Sequence, residues 1–89
     1  MSYWTVKWDP RAIKELKSLS SDIKERLYHF FEEKIHRSNN PRIIGEALTG
    51  DKAGLWRYRI GNYRAICKIY DKELLILMVK VNHRKEVYH

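Results

Sequence analysis

The 89-residue chain contains, at positions 55–70, the stretch LWRYRIGNYRAICKIY, which predicts a β-hairpin with Gly61-Asn62 as a two-residue connection. Because a two-residue loop fixes which residues face each other, Arg59 should lie directly opposite Arg64. One face of this hairpin then carries the mainly apolar side chains of Trp56, Tyr58, Ile60, Tyr63, Ala65 and Cys67. The other face carries the cations Arg57, Arg59, Arg64 and Lys68.

This cationic face predicts an anion site. Like charges directly opposite each other in a sheet are unfavourable, by up to about 1 kcal/mol. Guanidinium groups also bind phosphate in a planar, two-pronged way and keep their charge at any useful pH. A hairpin that holds Arg59 against Arg64 therefore favours anion binding over the alternative, an ordinary solvated basic face.

Composition indicates one small globular domain spanning residues 1–89. Hydrophobic residues make up 44% of the chain, which excludes a disordered protein although 33% of residues are charged. The net charge of +7 favours polyanionic partners. The longest apolar run, residues 74–79, is too short to span a bilayer, and the N-terminus lacks the apolar core of a signal peptide, so a cytoplasmic protein is expected. The single cysteine, Cys67, is expected to be a small core residue.

The first forty residues predict a strand and two helices. Aromatic and β-branched residues at 3–8 are typical of a strand, with Trp4, Val6 and Trp8 on one face. Asp9-Pro10 should open the first helix, and a break at Ser20-Ser21 should precede a second helix over residues 22–37. Apolar spacing predicts the buried side chains Ala12, Ile13, Leu16 and Leu19 on the first helix. On the second helix it predicts Ile23, Leu27, Phe30, Phe31 and Ile35, with Tyr28 at the edge.

The remaining chain predicts an irregular link and three strands. Residues 42–54 contain three glycines and should be pinned to the core by Ile43, Ile44 and Leu48. After the hairpin, residues 74–81 are apolar almost throughout, which is typical of a central strand buried on both faces. The element order is βααβββ, which predicts an α+β fold with a helical hairpin on one face of a small, mainly antiparallel, twisted sheet.

Chain direction predicts that the end of the last strand, residues 82–84, returns to the edge of the sheet that holds the Gly61-Asn62 turn. His83 and Arg84 should therefore lie near the arginine face. The strongest candidate constellation comprises Arg57, Arg59, Arg64, His83, Arg84 and Tyr88. Glu46 is a lone carboxylate in the link and is first interpreted as a surface residue.

The other histidines carry less information. His29 and His36 lie seven residues apart on the second helix, and no further ligands at suitable spacing accompany them. They are expected to be exposed to solvent, and the chain is expected to bind neither a metal nor a cofactor.

The chain resembles the RelE/ParE toxin superfamily, and its RelE-like branch in particular. The resemblance covers nearly the whole length and rests on the βααβββ order, on LTGDKAGLWRYRIGNYR at 48–64 and on VNHRKEVY at 81–88, where Asn82 replaces a more common glycine. It implies a fold like that of compact microbial ribonucleases and cleavage of messenger RNA in the ribosomal A site. It also implies a RelB-like antitoxin that wraps around the toxin and inhibits it.

The resemblance implies roles for individual residues. Arg64 matches the arginine that binds the scissile phosphate, and Arg84 matches a tail arginine assigned as general acid or transition-state stabiliser. Tyr88 matches the C-terminal tyrosine that orients the RNA. Lys68 and Lys85 are expected to add contacts to the RNA backbone.

The general base is left open at this point. Arg57 and Arg59 occupy the places of two lysines in the best-known member, one of which is assigned as the base, and arginine is a poor base because its pKa exceeds about 12. Other members use a glutamate upstream of the hairpin and a histidine near the C-terminus. Glu46 and His83 fit those places.

The reaction implied by the resemblance is attack of a 2′-hydroxyl on its own 3′-phosphate, which gives a 2′,3′-cyclic phosphate and a free 5′-hydroxyl. It requires a base, an acid and cations for the charge that develops on phosphorus. His83 or Glu46 would be the base, Arg84 or His83 the acid, and Arg59 with Arg64 the phosphate clamp.

Two other functions fit the same sequence. One is a ParE-like inhibitor of DNA gyrase, which shares the fold but lacks the ribonuclease site. The other is a catalytically weak RNA-binding relative, which the replacement of lysines by Arg57 and Arg59 keeps open. The apolar arc of the second helix, extended by Tyr28 and Ile35, is either an antitoxin interface or part of the core. The sequence does not indicate the oligomeric state.

Overall fold

The computed structural model describes residues 3–83 of the chain. The β-strands in this range are β1 Thr5–Trp8, β2 Glu46–Ala47, β3 Trp56–Ile60, β4 Tyr63–Tyr70 and β5 Leu75–His83. The α-helices in the same range are α1 Pro10–Lys17 and α2 Ser21–Phe30. A π-helical segment, Phe31–His36, continues α2, and a short 3₁₀ turn, Gly50–Lys52, precedes β3.

Over the described residues, the strands form one sheet in the order β1-β5-β4-β3-β2. β5 pairs in parallel with β1 and antiparallel with β4, which confirms the prediction of a central last strand. Only one of its faces is fully buried, since Leu75, Leu77 and Val79 are half-buried. The hairpin of β3 and β4 has the predicted register, with Arg59 opposite Arg64. The predicted α+β fold is therefore confirmed, with one additional short strand, β2.

Each of the two α-helices begins at a residue whose side chain caps its N-terminus. Asp9 accepts a hydrogen bond from the Arg11 amide at 2.9 Å, with Pro10 at the first helical position, as predicted. Ser20 caps α2 through the Ile23 amide at 3.4 Å, so α2 begins one residue before the predicted start. No helix within residues 3–83 is long and apolar enough to cross a membrane.

The core lies between the helices and the inner face of the sheet, and Tyr58 of β3 is at its centre. Its ring contacts the rings of Phe30 and Phe31 at centroid distances of 5.7 and 5.9 Å. Its hydroxyl donates to the Pro41 carbonyl oxygen at 2.6 Å, so the buried phenol is satisfied. Cys67 is also buried, as predicted, and burial raises the pKa of its thiol to about 12.

Three predictions about burial were wrong. Ile13 is 38% exposed because the neighbouring Ala12 is the fully buried residue, and consecutive helical residues point about 100° apart. Ile43 is 74% exposed, since Ile44 is the link residue that packs on the core. His36 is half-buried and its Nδ1 hydrogen-bonds to the Trp4 carbonyl oxygen at 2.6 Å. The wider π-helical winding turns His36 away from the solvent face that α-helical spacing predicted for it.

A β-bulge in β5 changes which side chains face the core. Ile66 pairs with Lys80 whereas Cys67 pairs with Met78, so β5 has one residue more than β4 between these pairs. Strict alternation from Met78 would direct Lys80 inward, but the bulge places Val81 in the core instead. The amide of Val81 donates to Oε1 of Glu15 in α1 at 3.0 Å.

This hydrogen bond generates a prediction about stability. The Glu15→Ala variant should lose about 1–3 kcal/mol of unfolding free energy, because it leaves the amide of a buried residue without its acceptor. Glu15→Gln keeps a side-chain oxygen and should lose less. Denaturant unfolding measures both, with the exposed Glu33→Ala as control; a Glu15→Ala loss no larger than that of the control would contradict the assignment.

Candidate phosphate-binding site

The turn between β3 and β4 brings the candidate cations together. Gly61 has a φ of 60°, and Asn62 is not among the residues with positive φ, a pattern that fits a type II′ turn with glycine in its first central position. Such a turn twists with the flanking strands and so keeps Arg59 and Arg64 paired at the end of the sheet.

Arg64 is the unusual member of this group because it is only 7% exposed. Its Nη1 donates to the carbonyl oxygens of Gly61, at 3.4 Å, and Tyr63, at 3.2 Å. Its buried Nε has no acceptor among residues 3–83. None of the ion pairs in the same range includes Arg64. A buried guanidinium with an unsatisfied donor is costly unless an anion compensates it. The turn therefore holds a buried cation whose charge no carboxylate among residues 3–83 compensates.

Glu46 lies between the other two arginines of this face. The pairing of β2 with β3 sets Glu46 opposite Arg57. Oε1 of Glu46 is 2.6 Å from a terminal nitrogen of Arg57 and 2.7 Å from one of Arg59. The hydrogen bond from Arg57, followed by the charges of both arginines, holds the pKa of Glu46 below its ordinary value. One carboxylate thus relieves part of the Arg59–Arg64 repulsion and leaves the face positive.

The sequence did not reveal that Glu46 belongs to a strand. The strand has only two residues, Glu46 and Ala47, which are too few to show a periodic pattern. Gly45 is the only local indication of an unusual backbone here. This glycine has a φ of 88°, and a Cβ placed on it would stand 2.6 Å from the Arg57 carbonyl oxygen, so the link approaches β3 too closely for a side chain. Glu46 is therefore a partly exposed strand residue paired with two arginines, and not a lone carboxylate in an irregular link.

His83 reaches the turn but on the other face of the sheet. It pairs with Tyr63, and the two rings meet edge to face with centroids 5.5 Å apart. Tyr63 shares its face with the core side of the hairpin, whereas Asn82 is the residue opposite Arg64. The prediction that His83 lies near the arginine face was wrong in this respect, because the bulge in β5 shifts the alternation by one residue.

The remaining candidate residues divide into two groups. Lys68 is exposed on the arginine face but lies four residues from Arg64 along β4, roughly 13 Å away, so it does not join the turn. Arg84, Lys85 and Tyr88 lie outside the described residues. Residues 3–83 contain no group of three or more His, Cys, Asp or Glu side chains placed to hold a metal ion.

Two features near the turn were missed by sequence reasoning. Arg26 of α2 places its guanidinium against Gly61, 3.5–3.7 Å from the position that a Cβ would occupy there. A cleft of about 500 Å³ runs along the open edge of β3, beside Arg59 and Glu46, with Lys34, Phe30 and Tyr58 among its lining residues. Helical spacing could have indicated both, since Arg26, Phe30 and Lys34 follow each other at intervals of four.

Comparison with known proteins identifies similar chains. Residues 6–88 match a family described as the ParE toxin of type II toxin–antitoxin systems (parDE). Toxin RelG of Mycobacterium tuberculosis is 27% identical over 85 residues, which cover 96% of this chain and 95% of the relative.

Solved structures are similar as well. A chain of the toxin–antitoxin complex RelBE2 from Mycobacterium tuberculosis has a TM-score of 0.85 and 27% identity, with 94% of each chain covered. The free state of a mutant of the E. coli toxin RelE has a TM-score of 0.74 and 26% identity, with 99% of this chain and 92% of that chain covered.

The ion pairs of Glu46 generate a prediction about pH. Because its pKa is lowered in the folded chain, its contribution to stability is fully present above the ordinary value of 4.5 and is lost as pH falls through the folded pKa. The difference in unfolding free energy between wild type and Glu46→Gln should therefore be constant near neutral pH and shrink on acidification.

Denaturant unfolding at a series of pH values measures this difference, and NMR titration of the Glu46 carboxyl carbon measures the pKa directly. The same substitution in an Arg57→Gln background is the control, and there the pH dependence should be largely lost. Titration of Glu46 at or above 4.5 in the wild type would contradict the ion-pair account.

Proposed function

This chain belongs to the RelE/ParE family of toxins from type II toxin–antitoxin systems, and we propose that it is an endoribonuclease that cleaves messenger RNA in the ribosomal A site. The family predicted from the sequence is thereby confirmed. The observation that carries the proposal is the buried Arg64 guanidinium, which has a donor without an acceptor at the hairpin turn. An RNA phosphate would supply the negative charge that compensates this guanidinium.

In the proposed reaction, Arg64 and Arg59 hold the scissile phosphate. The 2′-oxygen of the preceding ribose forms a bond to phosphorus, and the bond from phosphorus to the 5′-oxygen breaks. Negative charge on the phosphoryl oxygens increases as the bond forms, and a fixed guanidinium stabilises that charge without having to reorient. Because Arg64 is held by the carbonyl oxygens of the turn, it is already positioned before the RNA binds.

His83 is better suited than Glu46 to act as the general base. The proton of the 2′-hydroxyl must pass to a group whose basicity suits neutral pH. The pKa of Glu46 is lowered by Arg57 and Arg59, which makes its carboxylate a weaker base. We assign Glu46 to positioning Arg59. We assign proton removal to the His83 imidazole, which lies at the same end of the sheet as the turn but on the face of Tyr63, so the ribose must reach around the strand end to contact it.

The leaving group requires a second stabilising residue. The 5′-oxygen takes up negative charge as its bond to phosphorus breaks, and it is finally protonated from water. Arg84 follows His83 directly in the chain and is assigned to stabilise this charge, and Tyr88 to orient the RNA. Both lie outside the described residues, as does Lys85, which is assigned with Arg57 and Lys68 to the RNA backbone.

An antitoxin is the proposed protein partner. The similar structure from Mycobacterium tuberculosis is a toxin–antitoxin complex. In this chain Tyr28 of α2 is 66% exposed and lines an apolar cleft of about 310 Å³ with Leu16 and Trp8. Ile35 is fully buried and does not extend this surface, contrary to one sequence interpretation. A RelB-like partner with apolar and acidic groups would cover the cleft and compensate the positive charge of the chain.

A gyrase-directed toxin is the second candidate, because the matched family model is that of ParE toxins. Such a toxin would induce a DNA-damage response and leave messenger RNA intact. Similarity to the toxins RelG and RelE favours the ribonuclease.

The Arg64→Ala variant should cleave messenger RNA much more slowly than the wild type. Loss of a fixed cation that stabilises charge in the transition state should reduce the cleavage rate by roughly 10²-fold or more. Arg64→Lys keeps the charge but loses the planar fork and should retain partial activity. Primer extension on messenger RNA, with purified toxin and programmed ribosomes, measures the rates.

The matched control is Arg11→Ala, which removes an exposed arginine on α1. It should cleave like the wild type. Circular dichroism and thermal unfolding test whether the Arg64 variants remain folded. A folded Arg64→Ala protein that cleaves at the wild-type rate would overturn the proposal, and so would intact messenger with the wild-type toxin.

A further inference from the structure

Arg26 of α2 places a second guanidinium against the hairpin turn. Three of its guanidinium atoms lie 3.5–3.7 Å from the position of a Cβ on Gly61. The carbonyl oxygen of the same glycine accepts a hydrogen bond from Nη1 of Arg64 at 3.4 Å. Given backbone dimensions, the two guanidinium groups are no more than about 10 Å apart.

Core packing places Arg26 there. The ring of Phe30 contacts that of Tyr58, which fixes α2 over β3 with a centroid distance of 5.7 Å. Arg26 precedes Phe30 by about one helical turn, and helical side chains tilt toward the N-terminus of their helix. Its side chain therefore extends along β3 toward Gly61.

The charge at Arg26 is uncompensated within the described part of the chain. Residues 3–83 provide no hydrogen bond or ion pair to its guanidinium. The neighbouring Glu25 pairs with His29 instead, and Glu46 pairs with Arg57 and Arg59. Two guanidinium groups thus approach Gly61 with no described carboxylate paired to either.

We propose that Arg26 binds an RNA phosphate adjacent to the one that Arg64 holds, so that the backbone of the RNA passes over the turn between the two arginines. The inference rests on the proposed function and adds α2 to the RNA-binding surface. A phosphate contact carries no sequence information, so Arg26 contributes to affinity and not to codon choice. It lies on the helix side of the turn and takes no part in the chemical step.

The experiment compares Arg26→Gln with wild type in binding a fluorescently labelled single-stranded RNA oligonucleotide. Loss of one phosphate contact should weaken binding by roughly tenfold. It should also lower the slope of log K against log salt by about 0.7. On programmed ribosomes the same variant should raise KM and leave kcat nearly unchanged. Arg26→Lys keeps the charge and should retain most of the salt slope.

Arg37→Gln is the matched control, because Arg37 is an exposed arginine at the far end of the same helical segment. It should bind and cleave like the wild type. Wild-type behaviour of Arg26→Gln, together with weakened binding and cleavage in Arg64→Lys, would overturn the inference and leave the proposed function in place. Wild-type behaviour of both variants would overturn the two together.

Discussion

The two-residue turn at Gly61-Asn62 is the constraint on which the site depends. It sets the register that places Arg59 opposite Arg64, and its own carbonyl oxygen fixes the Arg64 guanidinium. A slip of one residue would exchange the faces of β4 and direct Arg64 into the apolar core. The same register therefore buries Tyr58 and Ala65 on one face of the hairpin and places the arginines on the other.

Two local irregularities determine which side chains lie around the hairpin turn. The short strand β2 brings one carboxylate to two arginines, so that Arg59 is oriented while the face stays positive. The bulge in β5 puts Asn82 opposite Arg64 and sends His83 to the face of Tyr63. An acidic side chain of α1, Glu15, accepts the hydrogen bond of the first core residue after the bulge. Both α1 and the bulge therefore determine the geometry at the C-terminal end of β5.

The parts of the structure that sequence could predict are those governed by local rules. The turn, the Asp9 cap and the central apolar strand each follow from neighbouring residues, and each was confirmed. The burial of Arg64, the pairing of Glu46 and the bulge depend on contacts between distant segments. The Glu15–Val81 hydrogen bond joins residues 66 positions apart, and no periodic pattern encodes it. The sequence therefore predicted which residues belong to the candidate site, but not which face of the sheet each side chain occupies or which residues it contacts.

We propose that this turn holds an RNA phosphate for attack by the neighbouring 2′-oxygen. The most direct test gives the toxin ribosomes programmed with a messenger that carries a single 2′-deoxynucleotide on the 5′ side of the scissile phosphate. We expect the all-ribose messenger to be cut, leaving a 2′,3′-cyclic phosphate and a 5′-hydroxyl, and the deoxy messenger to stay intact at that position. Equal cleavage of both messengers, or a 5′-phosphate on the downstream product, would contradict it.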